Sequence, residues 1–148
     1  NLTPMLNIDQ MGLTVLTNYI NNVTTDTIDR ARSVYVSKEI ELNDPAISIR
    51  IILDANIPTV SEFYVFYRTA IAGDNDITTK PWVEAAKVVD GGKTDNLTDF
   101  TEYEFTTGTV DDDNIDEFVK FQIKIVMSTT NTSRIPRFRS LRTIALGT

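Results

Sequence analysis

The closing segment of the chain, residues 118–148, reads FVKFQIKIVMSTTNTSRIPRFRSLRTIALGT. Its first part alternates apolar side chains with Lys120, Gln122 and Lys124, and Phe138 to Leu146 form a second extended stretch. Because successive side chains of an extended chain point to opposite faces, both parts are predicted to be β-strands. The Thr/Asn/Ser-rich stretch between them is typical of a loop.

Alternating rows of apolar residues also occur earlier in the chain. One predicted strand face consists of Val34, Val36, Ile40 and Leu42. Lys38 interrupts this row, so we expect a strand end or a bulge there. Asn43-Asp44-Pro45 is predicted to turn the chain. The row that follows, opposite Ser48 and Arg50, consists of Ile47, Ile49, Ile51 and Leu53.

Residues 61–70, SEFYVFYRTA, are apolar on both strand faces. A strand of this kind is predicted to be central in its sheet or covered by another element. The run 82–89 is interpreted as a short edge strand, with one helical turn and its exit as the alternative. In residues 101–105 aromatic side chains alternate with Glu102 and Glu104, which are predicted to share one strand face.

The strands are joined by polar turns, and no long helical period follows residue 30. This pattern predicts an all-β fold in which two antiparallel sheets stack as a β-sandwich over residues 30–148. A chain of 148 residues with 41% hydrophobic content suits one domain with one core. The periodicity alone leaves an immunoglobulin-like strand order open.

Composition narrows the chemistry that the chain can perform. It has neither cysteine nor histidine, which removes thiol nucleophiles, Ser-His triads and the usual zinc ligands. The sequence therefore predicts a protein that is not an enzyme and that needs no cofactor. It contains no uninterrupted apolar run of the length that a membrane helix needs, so no membrane insertion is expected.

Charge is distributed unevenly along the chain. The last thirty-one residues hold six Lys or Arg and no Asp or Glu, whereas the formal net charge is -7. Lys120 and Lys124 have an ordinary interpretation, in which they face Glu39, Glu41, Glu102 or Glu104 on neighbouring strands. Four arginines are instead predicted to contact another protein, because the guanidinium group suits interfaces. They are Arg134, Arg137, Arg139 and Arg142.

Several phrases of the sequence resemble virion structural proteins of long-tailed bacteriophages, of the baseplate or tail-fibre type. The phrases are ARSVYVSKEIEL at 31–42, SEFYVFYRTA at 61–70, WVEA at 82–85, FTEYEF at 100–105, and FQIKIVM with the basic strand that follows it. The resemblance implies a β-sandwich near the chain terminus, and it favours a jelly-roll of the galactose-binding-like type. Residues 1–29 lie outside the resemblance and are predicted to form an arm with one short helix.

The resemblance also implies a structural role in the tail or baseplate of a virion that is assembled in the bacterial cytoplasm. The expected partners are other virion proteins or further copies of the chain. Besides the four arginines, the double-faced strand would supply Tyr64 and Phe66 to such contacts. The alternative is a carbohydrate-binding module that recognises a host glycan, with Trp82 as the stacking residue.

Two other ligand classes receive less support from the sequence. An acidic protein repels the phosphates of nucleic acid, so no nucleic-acid partner is expected. Acidic stretches at 74–76 and 111–117 contain oxygen ligands that calcium prefers, but neither fits the EF-hand pattern. We therefore predict no metal site, with a structural calcium ion as the alternative.

Overall fold

The computed structural model describes residues 33–74, 76–131 and 133–147. The predicted arm, residues 1–29, lies outside the described residues. Within these ranges the chain forms one short 3-10 helix, Ile77–Thr79, and nine strands. The strands are β1 (Ser33–Val36), β2 (Ile40–Ala46), β3 (Ser48–Asn56), β4 (Ser61–Ala70), β5 (Val83–Glu84), β6 (Ala86–Val89), β7 (Thr101–Thr106), β8 (Phe118–Thr129) and β9 (Arg137–Leu146).

The strands form two sheets in which every pair of neighbours is antiparallel. Sheet A has the order β1-β8-β4-β5, with β2 also pairing with β8. Sheet B has the order β6-β7-β3-β9. The two sheets pack face to face, which confirms the predicted all-β sandwich. The final strand, β9, pairs with the early strand β3, and the jelly-roll topology itself stays a prediction.

The core lies between the two sheets and follows the apolar rows of the sequence. Ile49, Ile51 and Leu53 on β3 are fully buried, as the alternation predicts. From sheet A, the Phe63 ring packs edge-on against Tyr103, with ring centres 5.0 Å apart, and against Phe138 at 5.2 Å. Aromatic rings prefer this arrangement, so Phe63 ties sheet A to strands β7 and β9 of sheet B.

The predicted common face of Val34, Val36, Ile40 and Leu42 is wrong. Val36 pairs with Lys124, which lies on the outer face of sheet A, whereas Ile40 pairs with the core residue Phe121. The register along β8 shifts by one residue between β1 and β2, and a one-residue shift moves side chains to the opposite face of a sheet. The shift occurs at residues 37–39, where Lys38 was expected to mark a strand end or bulge.

The turn predicted at Asn43-Asp44-Pro45 is also displaced. These three residues belong to β2, and the chain bends at Ile47. The register of β2 against β8 is irregular between Glu41 and Ala46, so Pro45 lies where the ladder of hydrogen bonds is interrupted. An edge strand with a bulge tolerates proline, because no ladder bond from its nitrogen is required.

The double-faced strand is central, as predicted. β4 pairs with β8 along its whole length and with β5 on its other side. Phe63, Val65 and Tyr67 face the core, which leaves Tyr64 and Phe66 on the outer face of sheet A. The predicted edge strand at 82–89 passes from one sheet to the other, because β5 pairs with β4 and β6 pairs with β7.

Candidate functional site

Three connections meet at one end of the sandwich. They are residues 57–60 between β3 and β4, residues 90–100 between β6 and β7, and residues 130–136 between β8 and β9. Together with the flanking residues Asn56 and Arg137, we call these connections the loop end. The strand register brings them together, because Ser61 pairs with Thr129 and Asn56 pairs with Arg137. Backbone hydrogen bonds join the loops: the Thr94 amide donates to the Ile57 carbonyl at 2.8 Å.

Asp95 links all three connections of the loop end. Its Oδ2 accepts a hydrogen bond from the Thr59 hydroxyl at 2.9 Å, and its Oδ1 lies 2.8 Å from Nη1 of Arg134. The Thr59 hydroxyl and amide, followed by Arg134, hold the pKa of Asp95 below its usual value. The ionised carboxylate therefore stabilises this arrangement of the loops.

Asn56 is the second polar centre of the loop end, and it is buried. Its Nδ2 donates to the carbonyls of Asn96 at 2.8 Å and Asp99 at 2.6 Å. Its Oδ1 accepts from Nη2 of Arg137 at 2.9 Å, and Arg137 also donates to the Leu97 carbonyl. A buried amide with its donors and acceptors used in this way fixes the conformation of the loop that it contacts.

The loop end exposes an apolar side chain from each of its three connections. Val60 is 37% exposed, Leu97 is 63% exposed and Ile135 is 43% exposed. Large apolar side chains that are displayed on a scaffold held by hydrogen bonds are typical of protein contact surfaces. The loop end is therefore a candidate interface.

The structure separates the four arginines predicted to form an interface. Arg134 and Arg137 belong to the loop end, whereas Arg139 and Arg142 lie on the outer face of sheet B. Arg139 lies 3.4 Å from Asp54, with its guanidinium carbon 4.2 Å from the centre of the Phe100 ring. Arg142 lies 3.4 Å from Glu102. Much of the basic charge near the C-terminus is therefore compensated within the chain.

The glutamates predicted to share a face of β7 do so. Glu104 pairs with Ile52 and Glu102 with Asp54, all on the outer face of sheet B. Their cationic neighbours are arginines, since Arg50 lies 2.8 Å from Glu104. The predicted lysine pairing is confirmed for Lys120, which lies 3.1 Å from Glu39, a contact that raises the pKa of the lysine.

A second cluster occupies the outer face of sheet A. Phe66, Arg68 and Lys124 are buried although they face away from the sandwich core. The half-buried Trp82 ring contacts both cations: its centre lies 4.4 Å from the guanidinium carbon of Arg68 and 5.0 Å from Nζ of Lys124. Lys124 also lies 4.6 Å from the centre of the Phe66 ring. We call these four residues the cation–aromatic cluster.

Arg68 fastens this cluster to two other elements. Its Nε donates to Oε1 of Gln122 at 2.8 Å, and its Nη1 donates to the Thr78 carbonyl at 3.0 Å. Burial lowers the pKa of Arg68, and the charges of Asp76 and Glu39 oppose that effect. The guanidinium group thus connects β4, β8 and the 3-10 helix, which explains how a cation is kept on a buried part of the sheet.

Tyr64 and Phe66, the other two residues predicted to contact a partner, differ in accessibility. Phe66 is buried within the cation–aromatic cluster, and Tyr64, paired with Val126, is half-buried. A role for either residue in an interface stays a prediction. Sequence reasoning did not single out Asn56 or Arg68, because their partners are distant in the chain; Arg137 follows Asn56 by 81 residues.

The opposite end of the sandwich carries the acidic loop, residues 107–117, between β7 and β8. It contains five carboxylates and no basic residue. Within residues 33–74, 76–131 and 133–147 no group of three or more carboxylates is arranged to hold a metal ion. The same ranges contain no helix with the length and apolar character that would be needed to cross a membrane.

Comparisons with known proteins leave the chain without an assigned family. No protein-family model matches it, and neither curated proteins nor solved structures show significant similarity to it. The sequence phrases, the sandwich, the loop end and the cation–aromatic cluster are therefore the features from which a function is inferred.

Proposed function

We propose that the protein is a non-enzymatic structural component of a bacteriophage tail or baseplate, which acts through contacts between subunits in the virion. The observation that carries this proposal is the loop end. Asp95 and Asn56 join its three connections, and each connection presents one exposed apolar side chain. A surface that is ordered before binding loses little conformational freedom on association, which suits a building block.

The fold supports the same role in a more general way. The resemblance to virion structural proteins implies a β-sandwich near the chain terminus, and the described residues form a sandwich of two antiparallel sheets. The phrases that carry the resemblance lie largely on strands: SEFYVFYRTA is β4, and FQIKIVM lies within β8.

Carbohydrate binding by Trp82 is the second candidate, and the cation–aromatic cluster bears on it. Arg68 and Lys124 fix the indole ring, and a rigid ring is a good platform for a sugar. However, the ring is half-buried and already contacts two cations, so less of it is available to a ligand. The loop end therefore supports the structural role better than Trp82 supports sugar binding.

The experiment that tests the proposed function is the location of the protein in purified phage particles. Antibodies raised against the full chain are used for gold labelling in electron microscopy, together with mass spectrometry of particles banded in a density gradient. We expect labelling of the tail and a constant copy number per particle. Presence in the infected-cell lysate but absence from purified particles would contradict the proposal.

A further inference from the structure

The two ends of the sandwich differ strongly in charge. The loop end contains three acidic residues, Asp90, Asp95 and Asp99, and three basic residues, Lys93, Arg134 and Arg137. The loop end is therefore neutral, whereas the acidic loop at the other end carries five carboxylates without a basic residue. Any contact between two copies of the chain has to accommodate this asymmetry.

From this asymmetry we infer that the loop end is a self-complementary surface at which two copies of the chain associate about a two-fold axis. The inference rests on the proposed function, because it names the partner of the surface on which that function depends. It goes beyond that function by assigning the symmetry of the contact. In a two-fold contact the same surface patch is used by both subunits, so the patch must match itself.

The charges of the loop end satisfy that requirement. Arg134 and Asp95 form an ion pair within one chain, and their side chains are about equally exposed, at 46% and 45%. Across a two-fold axis, Arg134 of each copy can approach Asp95 of the other without leaving a like charge unpaired. Val60, Leu97 and Ile135 then lie against their counterparts, and burial of apolar surface drives the association.

A head-to-tail contact is less favourable on the same grounds. It would place the acidic loop of one copy against the loop end of another. The cations there already have partners within the chain: Lys93 pairs with Glu62, Arg134 pairs with Asp95, and Arg137 donates to Asn56 and the Leu97 carbonyl. The acidic loop would therefore lose water without gaining a matching positive charge. In the two-fold contact both acidic loops stay at the far ends of the pair, where they remain in solvent.

The rigidity of the loops adds to the argument. Asn56 holds residues 96 to 99 through two hydrogen bonds, and Asp95 holds the neighbouring loops. Leu97 is therefore presented from a fixed backbone rather than from a mobile loop tip. An exposed apolar residue on such a backbone is a suitable centre for a small interface.

The test compares two matched variants of the full chain. Leu97→Asp places a charge in the loop end, and Val110→Asp places the same charge at the acidic end, where Val110 is 58% exposed. Sedimentation equilibrium over a concentration series measures self-association of the wild type and both variants. Circular dichroism and the emission of Trp82 verify that each variant is folded.

We expect a reversible dimer of the wild type, a dissociation constant raised at least about tenfold by Leu97→Asp, and a dimer of Val110→Asp that matches the wild type. A wild type that stays monomeric at the highest accessible concentration would overturn the inference, as would a dimer that Leu97→Asp leaves intact. A third outcome is that association is lost in each variant alone and recovered when the two variants are mixed. That result would show head-to-tail contacts and would equally overturn the two-fold inference.

These outcomes are separate from those of the proposed function. A monomeric chain that is nevertheless found in purified particles would remove the two-fold contact and leave the structural role standing. A dimer that is absent from purified particles would contradict the structural role and leave the two-fold contact standing.

Discussion

The guanidinium carbon of Arg68 lies 4.4 Å from the centre of the Trp82 ring. This contact joins the middle of sheet A to the segment that precedes β5, and it covers the outer face of β4, which the sequence predicted to need a cover. Because Arg68 also donates to Gln122 and to the Thr78 carbonyl, one side chain orders three parts of the chain around the indole ring.

Replacing Arg68 by methionine is expected to loosen the environment of Trp82. Gln122 and the Thr78 carbonyl would lose a buried donor, which costs about 1–3 kcal/mol of the free energy of unfolding. Trp82 is the single tryptophan of the chain, so all tryptophan emission reports on this site. We expect stronger quenching by iodide and a red shift of the emission. Arg142→Met, on the other sheet, is the control, and equal quenching in both variants would contradict the assignment.

The register shift between β1 and β2 shows where inference from the sequence ends. Period-two alternation correctly predicted the core face of β3, because β3 is an unbroken strand in which residue number decides the face. It failed between Val36 and Ile40, because the register along β8 shifts by one residue there. Lys38 marked the interruption of the apolar row, but it did not reveal that the face is reversed.

The loop end shows a second limit of what the sequence alone could predict. Arg134 and Arg137 were predicted as interface residues from their charge, and both lie in the loop end. The residues that hold its loops together, Asn56 and Asp95, could not be identified, because an Asn or Asp in a polar stretch looks like any other turn residue. Only the strand register, which pairs Asn56 with Arg137, brings these side chains together.

The ion pairs on the outer face of sheet B are expected to differ in strength. Arg50 and Glu104 lie 2.8 Å apart and the glutamate is largely covered, whereas Arg142 and Glu102 lie 3.4 Å apart and are both well exposed. Exposed pairs contribute little, because water and salt screen them. Double-mutant cycles with alanine, followed by urea denaturation, should give a coupling energy below about 0.5 kcal/mol for Arg142–Glu102 and a larger one for Arg50–Glu104. Equal couplings would contradict this prediction.

Asp95 is expected to make the stability of the protein depend on acid. Because Thr59 and Arg134 lower its pKa in the folded chain, the ionised form favours folding. That contribution is complete above the unfolded pKa of about 3.9 and disappears as the pH falls through the lower folded pKa. Asp95→Asn should therefore lose stability at pH 6 and show a flatter decline below pH 4, as measured by thermal melts.

The control for this effect is Asp99→Asn, which changes a carboxylate in the same loop whose backbone carbonyl, rather than its side chain, accepts from Asn56. It should retain the acid dependence of the wild type. An identical acid decline in the wild type and in Asp95→Asn would show that Asp95 does not stabilise the loop end.

Gly91 is expected to be the least replaceable glycine of the loop end, for reasons of space. A Cβ at this position would lie 2.5 Å from Oγ1 of Thr101 and 2.7 Å from the Glu102 carbonyl oxygen, both at the start of β7. Gly73 provides the comparison: its φ of +93° disfavours a side chain, but nothing lies within 4 Å of an added Cβ. Gly73→Ala should therefore cost about 1–2 kcal/mol of stability through backbone strain alone.

Gly91→Ala should cost more, because backbone atoms of β7 have to move, and overpacking against backbone typically adds about 1–3 kcal/mol. Adding Thr101→Ala removes the contact with Oγ1 and should recover part of the loss, while the contacts with the Glu102 carbonyl oxygen and with Cβ of residue 101, at 2.8 Å, remain. Chemical denaturation of the three variants measures these differences. If Gly91→Ala were no more costly than Gly73→Ala, the close approach of residues 91 and 101 would not constrain the loop. The rigidity on which the proposed interface depends would then lose one of its supports.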